Sequence, residues 1–67
     1  MAVARVTEIT SSSKTSFEDA IEKGIERATK TLENVTGAWI ANQEVVVDGG
    51  KIKEYRVRMK LTFILLG

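Results

Sequence analysis

From Glu54 to Leu65 the chain alternates apolar and polar positions. Tyr55, Val57, Met59, Leu61, Phe63 and Leu65 fall on one side, and Glu54, Arg56, Arg58, Lys60 and Thr62 on the other. Side chains on a strand point to opposite faces with period two, so this pattern predicts a half-buried strand, about twice the usual length of five to six residues. An element that long needs a cover for its apolar face, and only one other segment of the chain can supply it.

That segment begins at Phe17. Phe17, Ala20, Ile21, Gly24, Ile25, Ala28 and Leu32 recur at three- and four-residue steps, which places them on one face of a helix. Thr15 stands three residues before Glu18, the spacing of a capping box, and Ser16 is the alternative cap. Glu18, Asp19 and Glu22 lie early and Arg27 and Lys30 late, as the helix dipole favours. Asp19 with Lys23 and Glu26 with Lys30 are four apart in the favourable order. Gly24 on the apolar face costs about 1 kcal/mol against alanine, which implies a close approach of the helix to the sheet. The helix is expected to end near Asn34.

Two further strands complete the pattern. Ala2 to Thr10, with Val3, Val6, Thr7 and Ile9, predicts a first strand, followed by a polar connector at Ser11-Ser12-Ser13-Lys14. Gly37 to Val47 predicts another, with Trp39, Ala41, Val45 and Val47 on one parity and Ala38, Ile40 and Val46 on the other. A strand apolar on both sides is normally covered on both sides; one helix covers one, so a neighbouring subunit is expected on the other. Asp48-Gly49-Gly50 is a tight-turn signal that joins this strand to the last as a hairpin. The expected fold class is α+β: one domain over residues 1–67, in β-α-β-β order, with a three-stranded antiparallel sheet curled round one helix.

Composition sharpens the expectation of assembly. A chain of 67 residues buries only about 60 % of the surface its unfolded form exposes. Small domains close that deficit with disulfides, a metal or partner subunits. The chain has no cysteine and no histidine, which excludes the first and argues against a structural zinc. Self-association is the remaining route. A net charge of +1 and a pI near 8.1 argue against a nucleic-acid partner, for which a pI above about 9 is expected. No stretch reads as a signal peptide or a membrane span, so a cytoplasmic protein without a membrane partner is expected.

The inventory of reactive groups is thin. Without histidine and cysteine the commonest general base, the thiolate nucleophile and the usual transition-metal ligands are missing. The serines stand together with only Lys14 nearby, and the helix carboxylates read as a solvated face. No catalytic residue and no metal ligand is assigned, and the chain is expected not to be an enzyme. Arg56, Arg58 and Lys60 share the polar face of the last strand with Glu54, either as an anion site or as a soluble or ion-paired face, the second being favoured for Arg58 and Lys60. Trp39, the one tryptophan, is a packing anchor or a stacking surface.

Taken together, Thr15-Ser16-Phe17-Glu18-Asp19-Ala20-Ile21, Ala38-Trp39-Ile40, Asp48-Gly49-Gly50-Lys51-Ile52, Lys53-Glu54-Tyr55-Arg56-Val57 and Thr62-Phe63 resemble the dodecin family over nearly the whole chain. The resemblance implies a hollow homododecamer of small β-α-β-β subunits that stores and protects flavins, riboflavin or FMN, bound in stacked pairs at twofold interfaces. It implies that a tryptophan near the start of the second strand stacks on the flavin ring, and that a glutamine in the third hydrogen-bonds to it. Those positions fall on Gly37 and Arg56 here, with Trp39 two residues beyond Gly37 on the same face, about 7 Å along the strand. Arg56 can donate but not accept a hydrogen bond, and can pair with a phosphate. The expected cofactor-binding residues are therefore Gly37, Trp39 and Arg56. The alternative is a dodecin-like cage that takes another ligand, a phosphate-bearing cofactor or a cation, or serves in assembly alone.

Overall fold

The computed structural model describes residues 3–65. It consists of strand β1 (Val3–Ser13), helix α1 (Phe17–Ala28), strand β2 (Val35–Asp48) and strand β3 (Lys51–Leu65). The strands form one antiparallel sheet in the order β1-β3-β2, so the long alternating strand is central and the other two are its edges. The expected β-α-β-β architecture is the observed one.

β1 is longer than its sequence suggests. The expected start at Ala2 lies outside the described residues; the expected end at Thr10 is passed, and Ser11, Ser12 and Ser13 pair with Val57, Arg56 and Tyr55 instead of forming a connector. Their small polar side chains have local work. Ser11 lies under Gly24 of α1, where a larger residue would hold the helix away. Ser13 is buried; its hydroxyl donates to the Asp19 carboxylate at 2.5 Å and accepts from the Thr15 backbone N–H at 2.9 Å, tying the strand end to the helix start.

Ser16, rather than Thr15, caps α1, its hydroxyl accepting from the Asp19 N–H at 3.0 Å. The helix ends at Ala28, well over a turn before the expected boundary near Asn34. Thr29 and Thr31 return their hydroxyls to the carbonyls of Glu26 and Ala28 (3.0 and 3.3 Å), and the Lys30 and Thr31 N–H groups close three-residue turns. β-branched residues with a backbone-seeking hydroxyl favour this departure from the helical ladder. Leu32 still packs on the core. Asn34 then adopts a left-handed conformation (φ 61°), one that asparagine tolerates, and turns the chain into β2.

The core lies between α1 and the odd-numbered face of β3. Ala20, Val57, Met59 and Leu61 are fully buried, with Ile9, Phe17, Ile21, Ile25, Ala28, Leu32 and Ile40 packed around them. Phe17 and Tyr55 meet edge to face at 5.1 Å between ring centroids. The helix sits as close as its glycine implied: a Cβ on Gly24 would lie 2.7 Å from Met59 Cε and 2.9 Å from Ser11 Cβ.

β2 departs from simple alternation. Ile40 pairs with Met59 while Asn42 pairs with Arg58, so Ala41 is an extra residue and the strand is bulged there. The bulge flips the parity, and the expected grouping of Trp39 with Val45 does not hold. Trp39 lies away from the helix, whereas Val45 pairs with Tyr55 on the helix side. Gly49 and Gly50 have φ of 60° and 77°, the positive pair that a two-residue hairpin turn requires.

The helix, 12 residues, reaches about 18 Å, and β3, 15 residues, about 50 Å. The β2–β3 hairpin therefore projects beyond any cover, and Val45, Val47 and Ile52 are exposed, the last two at 60 % and 53 %. Among the described residues no helix is long and apolar enough to cross a membrane.

Candidate functional site

The face of the sheet turned away from α1 carries all three expected site residues. Cross-strand pairing sets them in rows over β1, β3 and β2: Val6–Thr62–Gly37, then Glu8–Lys60–Trp39, Thr10–Arg58–Asn42 and Ser12–Arg56–Glu44. Among the described residues no element covers the face.

Trp39 and Gly37 occupy adjacent rows. Trp39 is 48 % exposed, a large value for the largest side chain of the molecule, and it contributes nothing to the buried core. A Cβ at Gly37 would meet nothing within 4 Å, so the surface beside the indole is an open floor bounded by Val6 and Thr62. The structure thus brings Gly37 and Trp39 together. It does not bring Arg56 to them. Arg56 is four residues from Lys60 and six from Thr62 on β3, about 13 Å and 20 Å along the strand.

Arg56 is moreover already engaged. Its guanidinium donates to Glu54 at 2.7 Å and lies 3.9 Å from Glu44. Arg58 stands 3.7 Å from Glu8, as an ion-paired face would have it. Lys60 differs from both. Its ammonium sits 5.7 Å from the centre of the Trp39 ring, a cation–π distance, and among the described residues no carboxylate pairs with it. Sequence reasoning left Lys60 out of the site because strand parity names a face and not a rotamer; its place opposite Trp39 depends on the register of β2.

Other features are weaker as sites. Clefts of about 280 and 330 Å³ flank α1, the first lined by Ile9, Ser11, Gly24 and Arg27, the second by Ser13, Lys14, Thr15 and Glu54. Asp19 is held below its ordinary carboxylate range by the Ser13 hydroxyl and by Lys23 at 3.0 Å, a capping arrangement rather than a reactive one. No group of three or more acidic side chains suited to a metal ion is gathered among the described residues.

A short α+β fold with one sheet face packed in part by a single helix and the other uncovered among the described residues, bearing an exposed aromatic ring, is a binding module in form. The dodecin family model matches residues 3–65, and the chain belongs to the dodecin family, whose members are small ligand-binding proteins. The dodecin of Streptomyces davaonensis superposes with a TM-score of 0.93 at 32 % identity, covering 98 % of this chain and 97 % of that one. A calcium dodecin from Mycobacterium tuberculosis is 29 % identical over 63 residues, 94 % of this chain and 89 % of that protein. A crystal structure of the calcium dodecin from that organism, described as calcium chelating with a novel calcium-binding site, superposes with a TM-score of 0.83 at 26 % identity over 96 % of this chain and 91 % of that one.

Proposed function

We propose that this chain is a non-enzymatic flavin-binding and storage protein that works as a homododecamer, with the Trp39 ring as its stacking surface. One observation carries the reading: Trp39 stands exposed on the uncovered sheet face, beside the open floor at Gly37, where no packing role within the subunit explains it. A ring on an open sheet face can stack a planar ligand, and a second copy across a twofold axis would close the other side of it. The uncovered hairpin with Val45, Val47 and Ile52 supports assembly, since exposed apolar residues of this kind are what a partner subunit buries. Arg56, spoken for by Glu54 and Glu44, serves as an interface ion pair in this reading rather than as a flavin ligand.

Flavin fluorescence quenching tests the site directly. Riboflavin and FMN are expected to be quenched on binding to the wild-type protein and not to a Trp39→Ala variant. Quenching that survives Trp39→Ala would remove Trp39 from the site. Native mass spectrometry tests the assembly, with twelve subunits expected.

The relation to a calcium dodecin favours a second reading, in which the cage takes a cation. Glu44 and Glu54 on one face are the carboxylates it would draw on. Calorimetric titration with calcium distinguishes the two: heat on calcium addition, with no flavin response, would support this reading over the first.

A further inference from the structure

Lys60 stands at the centre of the open face, opposite Trp39 on β2 and Glu8 on β1. Glu8 is its direct cross-strand neighbour, yet the Glu8 carboxylate lies 3.7 Å from Arg58. Arg56 is held by Glu54 and Glu44. Of Arg56, Arg58 and Lys60, the cations in these rows of β3, Lys60 alone has no carboxylate within 4.0 Å among the described residues, and its ammonium rests 5.7 Å from the indole centre. It is half-buried, so its charge is less well hydrated than one on a fully extended side chain.

An ammonium on the ring blocks part of the stacking surface. A planar ligand has to displace it, and a cation displaced from an aromatic ring loses its attraction to the ring face. A neutral ligand returns nothing for that loss. A ligand bearing an anionic group within reach of the ring edge gives the ammonium a new partner, and a charge-assisted hydrogen bond exceeds the cation–π contact it replaces. The flexible four-carbon stem of lysine permits the swing without moving the backbone.

We infer that Lys60 is the specificity-determining residue of the Trp39 surface, selecting planar aromatic ligands that carry an anionic group, a flavin phosphate in the first instance, over neutral ones. The inference rests on the flavin reading for the identity of the ligand, but its physical content is that Lys60 governs the access of anions to the Trp39 ring. Arg56, the residue the resemblance pointed to as a phosphate partner, is the wrong cation: it is already neutralised and lies about 13 Å along the strand from Lys60.

The test uses the wild-type assembly and Lys60→Met and Lys60→Arg variants, with two readouts. The first is the ratio of FMN to riboflavin affinity from flavin fluorescence quenching. It should fall by about fivefold in Lys60→Met, which keeps the stem and removes the charge, and recover in Lys60→Arg; a fivefold change corresponds to about 1 kcal/mol, the worth of one partly exposed ion pair. The wild-type ratio should also fall with added salt, and the Lys60→Met ratio should not. The second readout needs no flavin: quenching of Trp39 fluorescence by iodide, normalised to quenching by neutral acrylamide. That quotient should drop in Lys60→Met and recover in Lys60→Arg. An unchanged iodide quotient overturns the role of Lys60, whatever binds. A changed quotient with no flavin bound by any form supports the anion gate and overturns the flavin reading alone. A changed quotient with an unaltered FMN-to-riboflavin ratio overturns the assignment of flavin phosphate as the anion selected.

Discussion

Replacing Gly24 by alanine tests the closest contact in the molecule. In an exposed helix this change gains about 0.8–1.0 kcal/mol from propensity alone. Here the new Cβ would stand 2.7 Å from Met59 Cε, 2.9 Å from Ser11 Cβ and 3.2 Å from Ser11 Oγ. The Met59 contact involves the end of a flexible side chain, but Met59 is wholly buried and has little room to turn. Ser11 Cβ cannot turn at all, because it is fixed to the β1 backbone, which pairs with Val57 in the centre of the sheet. Relief requires the helix to rise from the sheet, and overpacking of this kind costs about 1–3 kcal/mol. Set against the propensity gain, the net expectation for Gly24→Ala is a loss of about 0–2 kcal/mol, measured by urea denaturation at fixed protein concentration with helix circular dichroism. A Ser11→Gly change removes the fixed obstacle, so the double variant should recover part of the loss, with a coupling energy of about 1 kcal/mol. A Gly24→Ala protein more stable than wild type by the propensity gain would refute the close packing of α1 on β1.

Other outcomes follow from neighbouring features. Ser16→Ala should cost about 1 kcal/mol through loss of the cap, while Thr15→Ala stays within about 0.5 kcal/mol, both read by denaturant midpoint; equal losses would restore the capping-box alternative. Met59→Ala should cost about 2–5 kcal/mol and Glu22→Ala, exposed on the far side of α1, less than about 0.5 kcal/mol. Asp19 is shifted downward on folding, so its contribution is fully present above the unfolded carboxylate value of about 3.9 and is lost as pH falls from there through the lower folded value. An acid titration of stability should accordingly be shallower below about pH 4 in Asp19→Asn than in wild type, and parallel curves would contradict that sign.

Much of this fold is readable from patterns of fixed period. The alternation of Glu54 to Leu65 and the three- and four-residue steps from Phe17 set the central strand and its cover. The paired glycines at 49 and 50 set the turn, and Gly24 announced the contact that its missing side chain permits. What sequence could not reveal are places where a side chain competes with the backbone or a residue is inserted into a ladder. The three serines read as a connector because a polar run looks like a loop; they form strand because β3 extends far enough to pair with them and Gly24 needs a small neighbour. Thr29 and Thr31 stop the helix through hydroxyl bonds that no apolar periodicity records. Gly37 and Trp39 were legible as neighbours on one face, two residues apart. The distance of Arg56 from them, and its capture by two glutamates, required the register.

The bulge at Ala41 ties architecture to binding. With strict alternation, Trp39 and Val45 would share a face, and that face would be apolar at both ends of β2. With one residue inserted, Ala38 and Ile40 turn to the helix side and so does Val45, while Trp39 shares the opposite face with Asn42 and Glu44. An isolated aromatic ring among polar neighbours buries too little area to hold two subunits together, but it suits a planar ligand whose rim needs polar partners. The apolar residues better suited to subunit contact, Val45, Val47 and Ile52, lie instead at the hairpin end, away from the ring. On the proposed function, ligand and assembly would thereby draw on separate stretches of the β2–β3 hairpin. On that reading, loss of the ring should impair binding without dissolving the assembly, whereas loss of the hairpin residues should impair both, since a stacked ligand would take its second face from a neighbouring copy.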